Sequence, residues 1–210
     1  MTDSSVPQPS QKRLDSDSIR ALAHPLRNRI VGKLRTDGPA TATQLAARLG
    51  TNSGTTSYHL RKLAEIGMVE EVSDSGDGRD RWWRAVHEFT SWSSSEFRDD
   101  PDDRAAADWL VNYHLRSNTE RTQAWLDVHN DWPLPWLKQA DLSDYRLYLT
   151  VDQAAAMTQE LQEIVLRYRA AGETAKAAGE PVVDVHDPAA DGSGLAPVAV
   201  IVHVHPDVKS

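Results

Sequence analysis

Cysteine is absent from all 210 residues, which excludes disulfide staples, thiolate metal sites and redox-sensing thiols together. No run approaches the roughly 18 consecutive apolar residues of a membrane-spanning helix. The opening MTDSSVPQPSQKR also lacks the apolar stretch of a secretory signal. A cytoplasmic chain with no membrane partner is therefore expected. The motifs of the commoner enzyme chemistries are missing too: there is no nucleophile elbow, phosphate loop or paired catalytic carboxylate motif. Positive charge is short as well, with 23 Lys and Arg against 31 Asp and Glu, a net −8.

That average conceals an asymmetry. Between Arg20 and Thr90 there are 11 basic against 8 acidic residues, or +3, while the remainder holds 12 against 23, or −11. A mildly basic segment followed by a strongly acidic one suits a nucleic-acid reader whose other half stays off the phosphate backbone. With 40% apolar residues the chain can bury one or two compact cores.

Residues 1–14, rich in Ser, Pro, Gln and Asp, read as a disordered tail. Ile19 and Leu22 then suggest a short helix. Leu26, Ile30, Val31 and Leu34 lie along one face of a second, with Pro25 at its start and Gly38 past its end. In TATQLAARLG, Thr41 and Gln44 have capping-box spacing, Leu45, Ala46 and Leu49 form the apolar side, and Gly50 terminates. A fourth helix spans about Ser53–Ile66, capped by Asn52 or Ser53 and stopped by Gly67. Its Thr56, Leu60 and Leu63 turn inward. Ser53, Ser57, Tyr58 and Arg61 turn away, and these are side-chain types that reach base edges and phosphates. MVEEVS and RWWRAV form the strands of a hairpin whose tip is SDSGDGRD. Helix, turn, helix and hairpin make a winged helix. Trp82 and Trp83, adjacent on a strand, must face opposite ways.

The stretches ALAHPLRNRIVGKL, TQLAARLG, SYHLRKLAEIGMVE and GRDRWWRAV, in that order and spacing, resemble the arsenic-repressor type of winged helix-turn-helix regulators over about residues 16–90. The resemblance implies a homodimer that places one recognition helix per protomer in successive major grooves of a palindromic site, the wing lying near the backbone or minor groove. Carried over by position, it gives the DNA-facing helix Ser53, Thr55, Ser57, Tyr58 and Arg61, with Lys62 counted among them, and gives the wing Arg79 and Arg81. Many relatives of that type sense metals through cysteines or through Asp and His pairs on the last helix. Here cysteine is absent, and Asp127 with His129 lacks partners at matching spacing. No metal and no cofactor is expected.

HEFTSWSSSEFRDDPDD, residues 91–99 at its centre, reads as a connector that tucks Phe89, Trp92 and Phe97 onto a neighbouring surface. From Asp100 as cap and Pro101, a helix runs to about Asn130, within a dimerisation segment 100–135. Trp109, Leu110, Tyr113 and Trp125 are the residues expected to pair two protomers. Residues 136–210 read as a small α+β module for dimerisation or an effector. YRLYLT alternates as a strand, Thr150 and Gln153 open a helix to about Ala178, and PVAVIVHVHP closes as a second strand beside the first. The fold class is thus α+β, mainly helical: a winged helix-turn-helix at residues 15–90, a long helix, and a strand–helix–strand module.

His186, His203 and His205, with Asp184 and Asp187, raise a metal-hydrolase reading. The in-phase His203 and His205 equally fit the solvent face of a sheet. The leading expectation is a dimeric DNA-binding repressor at an inverted-repeat operator. Its partners would be double-stranded DNA, a second copy and a small-molecule effector left unspecified. The alternatives are a winged module that binds protein without an operator and, last, a metal-dependent enzyme.

Overall fold

Every helix near the N-terminus begins on a side chain that satisfies its first free amides. In the computed structural model, which describes residues 10–72, 81–182 and 193–207, Asp15 accepts from the Ser18 N–H to open α1 (Ser16–Leu22). The His24 Nδ1 accepts from the Leu26 N–H to open α2 (Pro25–Thr36), with Pro25 in the first turn. Thr41 and Gln44 close the expected capping box on α3 (Ala42–Leu49), which Gly50 ends in the left-handed region at φ 64°. Asn52, one of the two expected caps, accepts from the Thr55 N–H at 2.8 Å to start α4 (Ser53–Glu65).

Main-chain pairing then assembles two small sheets. The wing consists of β3 (Val69–Val72) antiparallel to β4 (Trp82–Ala85), and β4 also takes β2 (Ala40–Thr41) on its other edge, giving the order β2-β4-β3. The wing tip, Arg79 included, lies outside the described residues. Trp83 is buried and Trp82 half-buried, as their alternation requires. The second sheet is a correction to the expected tail. Gln11–Arg13 (β1) pairs in parallel with Phe89–Ser91 (β5), and Leu14 is 4% exposed within the core. The part of the expected tail before residue 10 lies outside the described residues. Composition sees only that this segment is polar, whereas its main chain bonds to a partner some 80 positions away.

One apolar core fills this half: Ile19, Ile30, Leu45, Leu60, Leu63 and Met68 are each fully enclosed. The connector contributes to it through Phe97, in a 3-10 turn at Ser94–Phe97, and Trp92 packs against it. The long helix α5 (Pro101–Val128) adds Ala106, Ala107 and Leu110. Asp100 accepts from the Asp102 and Asp103 amides at its start, as expected of a cap. The Asp103 carboxylate, 6% exposed, is held by the Ser16 hydroxyl at 2.6 Å and the Arg20 guanidinium at 2.5 Å. This partnering makes its burial tolerable.

The chain divides into two compact units, one ending at Ser117 and the other starting at Asn118. In the second, a 3-10 turn at His129–Asp131 and a one-turn α6 (Leu134–Leu137) precede α7 (Val151–Ala177), which opens with the expected Thr150–Gln153 capping box. The two flanking strands expected to lie side by side do not form a ladder. Residues 141–150 and 196–207 run without turn or bend, and the pairing among the described residues here is a single bridge between Val182 and Leu195. Among the described residues, none beyond Leu110 is buried. No described helix is long and apolar enough to cross a membrane.

Candidate nucleic-acid interface

Helix α4 has two distinct faces because its apolar residues recur three and four apart. Thr56, His59, Leu60 and Leu63 are buried, and the Thr56 hydroxyl donates to the Asn52 carbonyl at 3.0 Å. On the opposite side Ser53, Tyr58 and Arg61 are exposed, Tyr58 at 49%, and Ser57 is half-buried between them. All four expected outward residues therefore share one surface. Arg61 Nε donates to the Ser57 carbonyl of its own helix at 3.3 Å. Lys62 is half-buried and its ammonium is tied to the Glu65 carboxylate at 2.8 Å, which raises its pKa. Thr55, which the resemblance assigns to the DNA-facing helix, is half-buried at the capped first turn.

Beyond the Asn52 cap, α4 is fastened at its C-terminus and near its middle by residues that pattern reading did not single out. At its C-terminus the Lys12 ammonium donates to the Ile66 carbonyl, placing a cation at the negative end of the helix dipole. Gly67 follows in the left-handed region at φ 67°. Near the middle, the buried His59 ring lies 4.5 Å from the His24 ring at the start of α2, and 5.2 Å edge-on from Tyr58. Burial first holds both imidazoles below their ordinary pKa; the charge of Arg27 comes next for His24, and His24 and then Arg27 add to the effect on His59. His24 must stay unprotonated at Nδ1 to accept from Leu26, so neutral rings suit the cap.

Arg27 is a third residue that pattern reading passed over. Its guanidinium donates to the Ala21 carbonyl and interacts electrostatically with Tyr58 and Lys62, which puts a further cation beside the outward residues of α4. In sequence it is simply one of several polar positions on α2. Only the approach of the two helices identifies it.

On the wing, Arg81 precedes β4 with its side chain 73% exposed and 3.6 Å from Glu71. Arg84 forms a shorter pair with Glu70 at 2.6 Å. Of the residues expected to pair protomers, Leu110 lies 1% exposed in its own chain's core, because it shares the inward face of α5 with Ala106 and Ala107. Trp109 and Tyr113 stack with centroids 5.0 Å apart, both half-buried, and Trp125 is half-buried beside the His129 ring. Among the described residues no group of three or more His, Asp or Glu side chains could hold a metal ion. His186, Asp184 and Asp187 fall outside them.

Residues 22–72 match a family described as "Helix-turn-helix domain". Among solved structures, the chain is similar to a "Possible transcriptional regulator for arsenical resistance", at 30% identity over 53% of this chain and 95% of that one, with a TM-score of 0.29. It is also similar to reduced HlyU from Vibrio cholerae, at 18% identity over 46% and 84% of the two chains (TM-score 0.29). A MarR family regulator from Neisseria meningitidis is 15% identical over 72% and 80% (TM-score 0.28). No curated protein matches. The family match covers the capped helices α2 to α4 and the first wing strand, and the pairing of β3 with β4 completes the wing; the chain carries a winged helix-turn-helix domain of the DNA-binding transcriptional-regulator type.

Proposed function

We propose that two copies of this chain bind an inverted-repeat operator, each laying α4 along a major groove with the β3–β4 wing beside the backbone, and that occupancy represses transcription. The observation that carries this reading is the division of α4. Its inner face is locked by Leu60, Leu63 and the His24–His59 contact, so the outer groups are presented from a fixed helix. Ser53, Ser57, Tyr58 and Arg61 supply hydroxyls and a guanidinium fork suited to base edges and phosphates. Arg27 and Arg81 add cations on either side in sequence, and Lys62, Thr55 and Arg79, the last outside the described residues, complete the set. Pairing of protomers along α5 draws on Trp109, Tyr113 and Trp125, with Leu110 bracing the helix from within. A small-molecule effector that adjusts operator affinity belongs to the same reading, as does a cytoplasmic location.

Fluorescence anisotropy of the purified chain on duplex from upstream of its own coding sequence, against random duplex and at several salt concentrations, tests this. Specific binding about 1000-fold or more above random is expected. Equal, weak binding to both would overturn the operator and leave a winged module that contacts protein.

A further inference from the structure

Among its described residues, the unit that starts at Asn118 has secondary structure without a buried side chain. Helix α7 buries no residue over its 27 positions, and no described residue beyond Leu110 is enclosed. A helix and two strand-like segments with apolar periodicity are stable only when that periodicity is covered. Tyr145, Leu147 and Leu149 alternate on one segment and are 79%, 57% and 42% exposed. Val200, Val202 and Val204 alternate on the other at 62%, 47% and 41%.

None of the described backbone-to-backbone hydrogen bonds involves residues 141–149 or 196–207. The segments do approach each other, since Arg146 and Asp207 form an ion pair at 2.7 Å, yet they meet through side chains and no ladder follows. On the second segment the faces are already divided. Ile201 and His203 line a groove with Thr119, Thr122 and Leu126 of α5, so the in-phase Val200, Val202 and Val204 belong to the face turned from that helix.

We infer that the segments 145–149 and 198–204 of one protomer are strands of a sheet completed by the same segments of a second copy, so that this unit gains its core only in the dimer. A second copy is the occupant that the chain's own inventory fits. Each protomer supplies two segments of alternating apolar residues with no described main-chain ladder, and a two-stranded sheet is marginal in water, whereas three or more strands with an apolar face are stable. Two copies supply four, and a two-fold axis makes every edge contact twice. A stable dimer takes about 800 Å² from each partner, and the exposed apolar side chains of the two segments, joined by Ile164 and Tyr168 of α7 at 43% and 71% exposed, are the apolar surface this unit has to offer. The inference rests on the dimeric reading above and adds to the pairing along α5 a second contact, in the C-terminal unit, without which that unit has no core.

Hydrogen exchange of the full chain, read by mass spectrometry at concentrations above and below its monomer–dimer midpoint from sedimentation, tests it. Slowed exchange of 145–149 and 198–204, appearing together with the dimer, is expected. Val202→Pro, which removes one ladder donor, should raise the dissociation constant at least tenfold while α1–α4 keep their protection. Two results would overturn the strand exchange. A dimer in which both segments exchange freely refutes it and leaves the dimeric regulator standing. Protection of both segments in the monomer refutes it by showing that the sheet closes within one chain. A chain that stays monomeric with both segments unprotected at every concentration refutes both readings and assigns the apolar edges to a foreign partner.

Discussion

Arg61 keeps most of its donor fork for a ligand, since its described contact is one bond to the carbonyl of Ser57 in the same helix. Replacing it by alanine is expected to weaken specific binding by about 1–3 kcal/mol, as befits a bidentate base contact. Anisotropy on operator and random duplex reads the effect, and an unchanged operator affinity would remove Arg61 from the interface. Lys62, tied to Glu65, should matter less. The histidines carry a different prediction. His24, His59, His87 and His114 all have their pKa lowered in the folded chain, with burial the leading cause. The unfolded chain binds these protons at the ordinary value of 6.5, so it takes up more protons than the native state just below that pH. The stability they contribute is fully present above about pH 6.5 and drains as pH falls below it. The melting temperature should therefore decline between pH 7 and pH 5, where the lowered Asp15, Asp37 and Asp100 are still ionised. A flat profile there would contradict the account.

Helix α4 is the element on which local rules and tertiary contacts combine. Asn52→Ala should cost about 0.5–2 kcal/mol of stability through the lost cap, measured by urea unfolding, and should loosen the first turn that presents Ser53. That cap, the boxes at Thr41 and Thr150, and the stop at Gly50 were legible in the sequence because each depends on residues within four positions of one another. The outward set on α4 was legible for the same reason, since helical period alone sorts Thr56, Leu60 and Leu63 from Ser57, Tyr58 and Arg61. What was not legible needs distant partners. The strand Gln11–Arg13 exists because Phe89–Ser91 lies beside it. Lys12 matters because Ile66 ends α4 within its reach. Leu110 reads as an interface residue until the core that receives it is in place. Alternation at 145–150 and 196–207 predicts strands, and no ladder forms there among the described residues; period cannot say which chain would supply a neighbouring strand.

At the scale of the whole molecule, a chain with net charge −8 must approach a polyanion by its basic face. Arg81→Ala should weaken operator and random duplex alike, and reduce the magnitude of the log-affinity against log-salt slope by about one, as loss of a single phosphate contact does. An unaltered slope would place Arg81 away from the backbone. The absence of any buried described residue beyond Leu110 bears finally on turnover in the cell. Exposed, unpaired main chain with apolar side chains is the form in which proteases take hold of a polypeptide. A newly made subunit would be open to degradation until it met a second copy. Abundance would then be set by how quickly subunits find one another as well as by how quickly they are made, and surplus single chains would be cleared while assembled regulator persists.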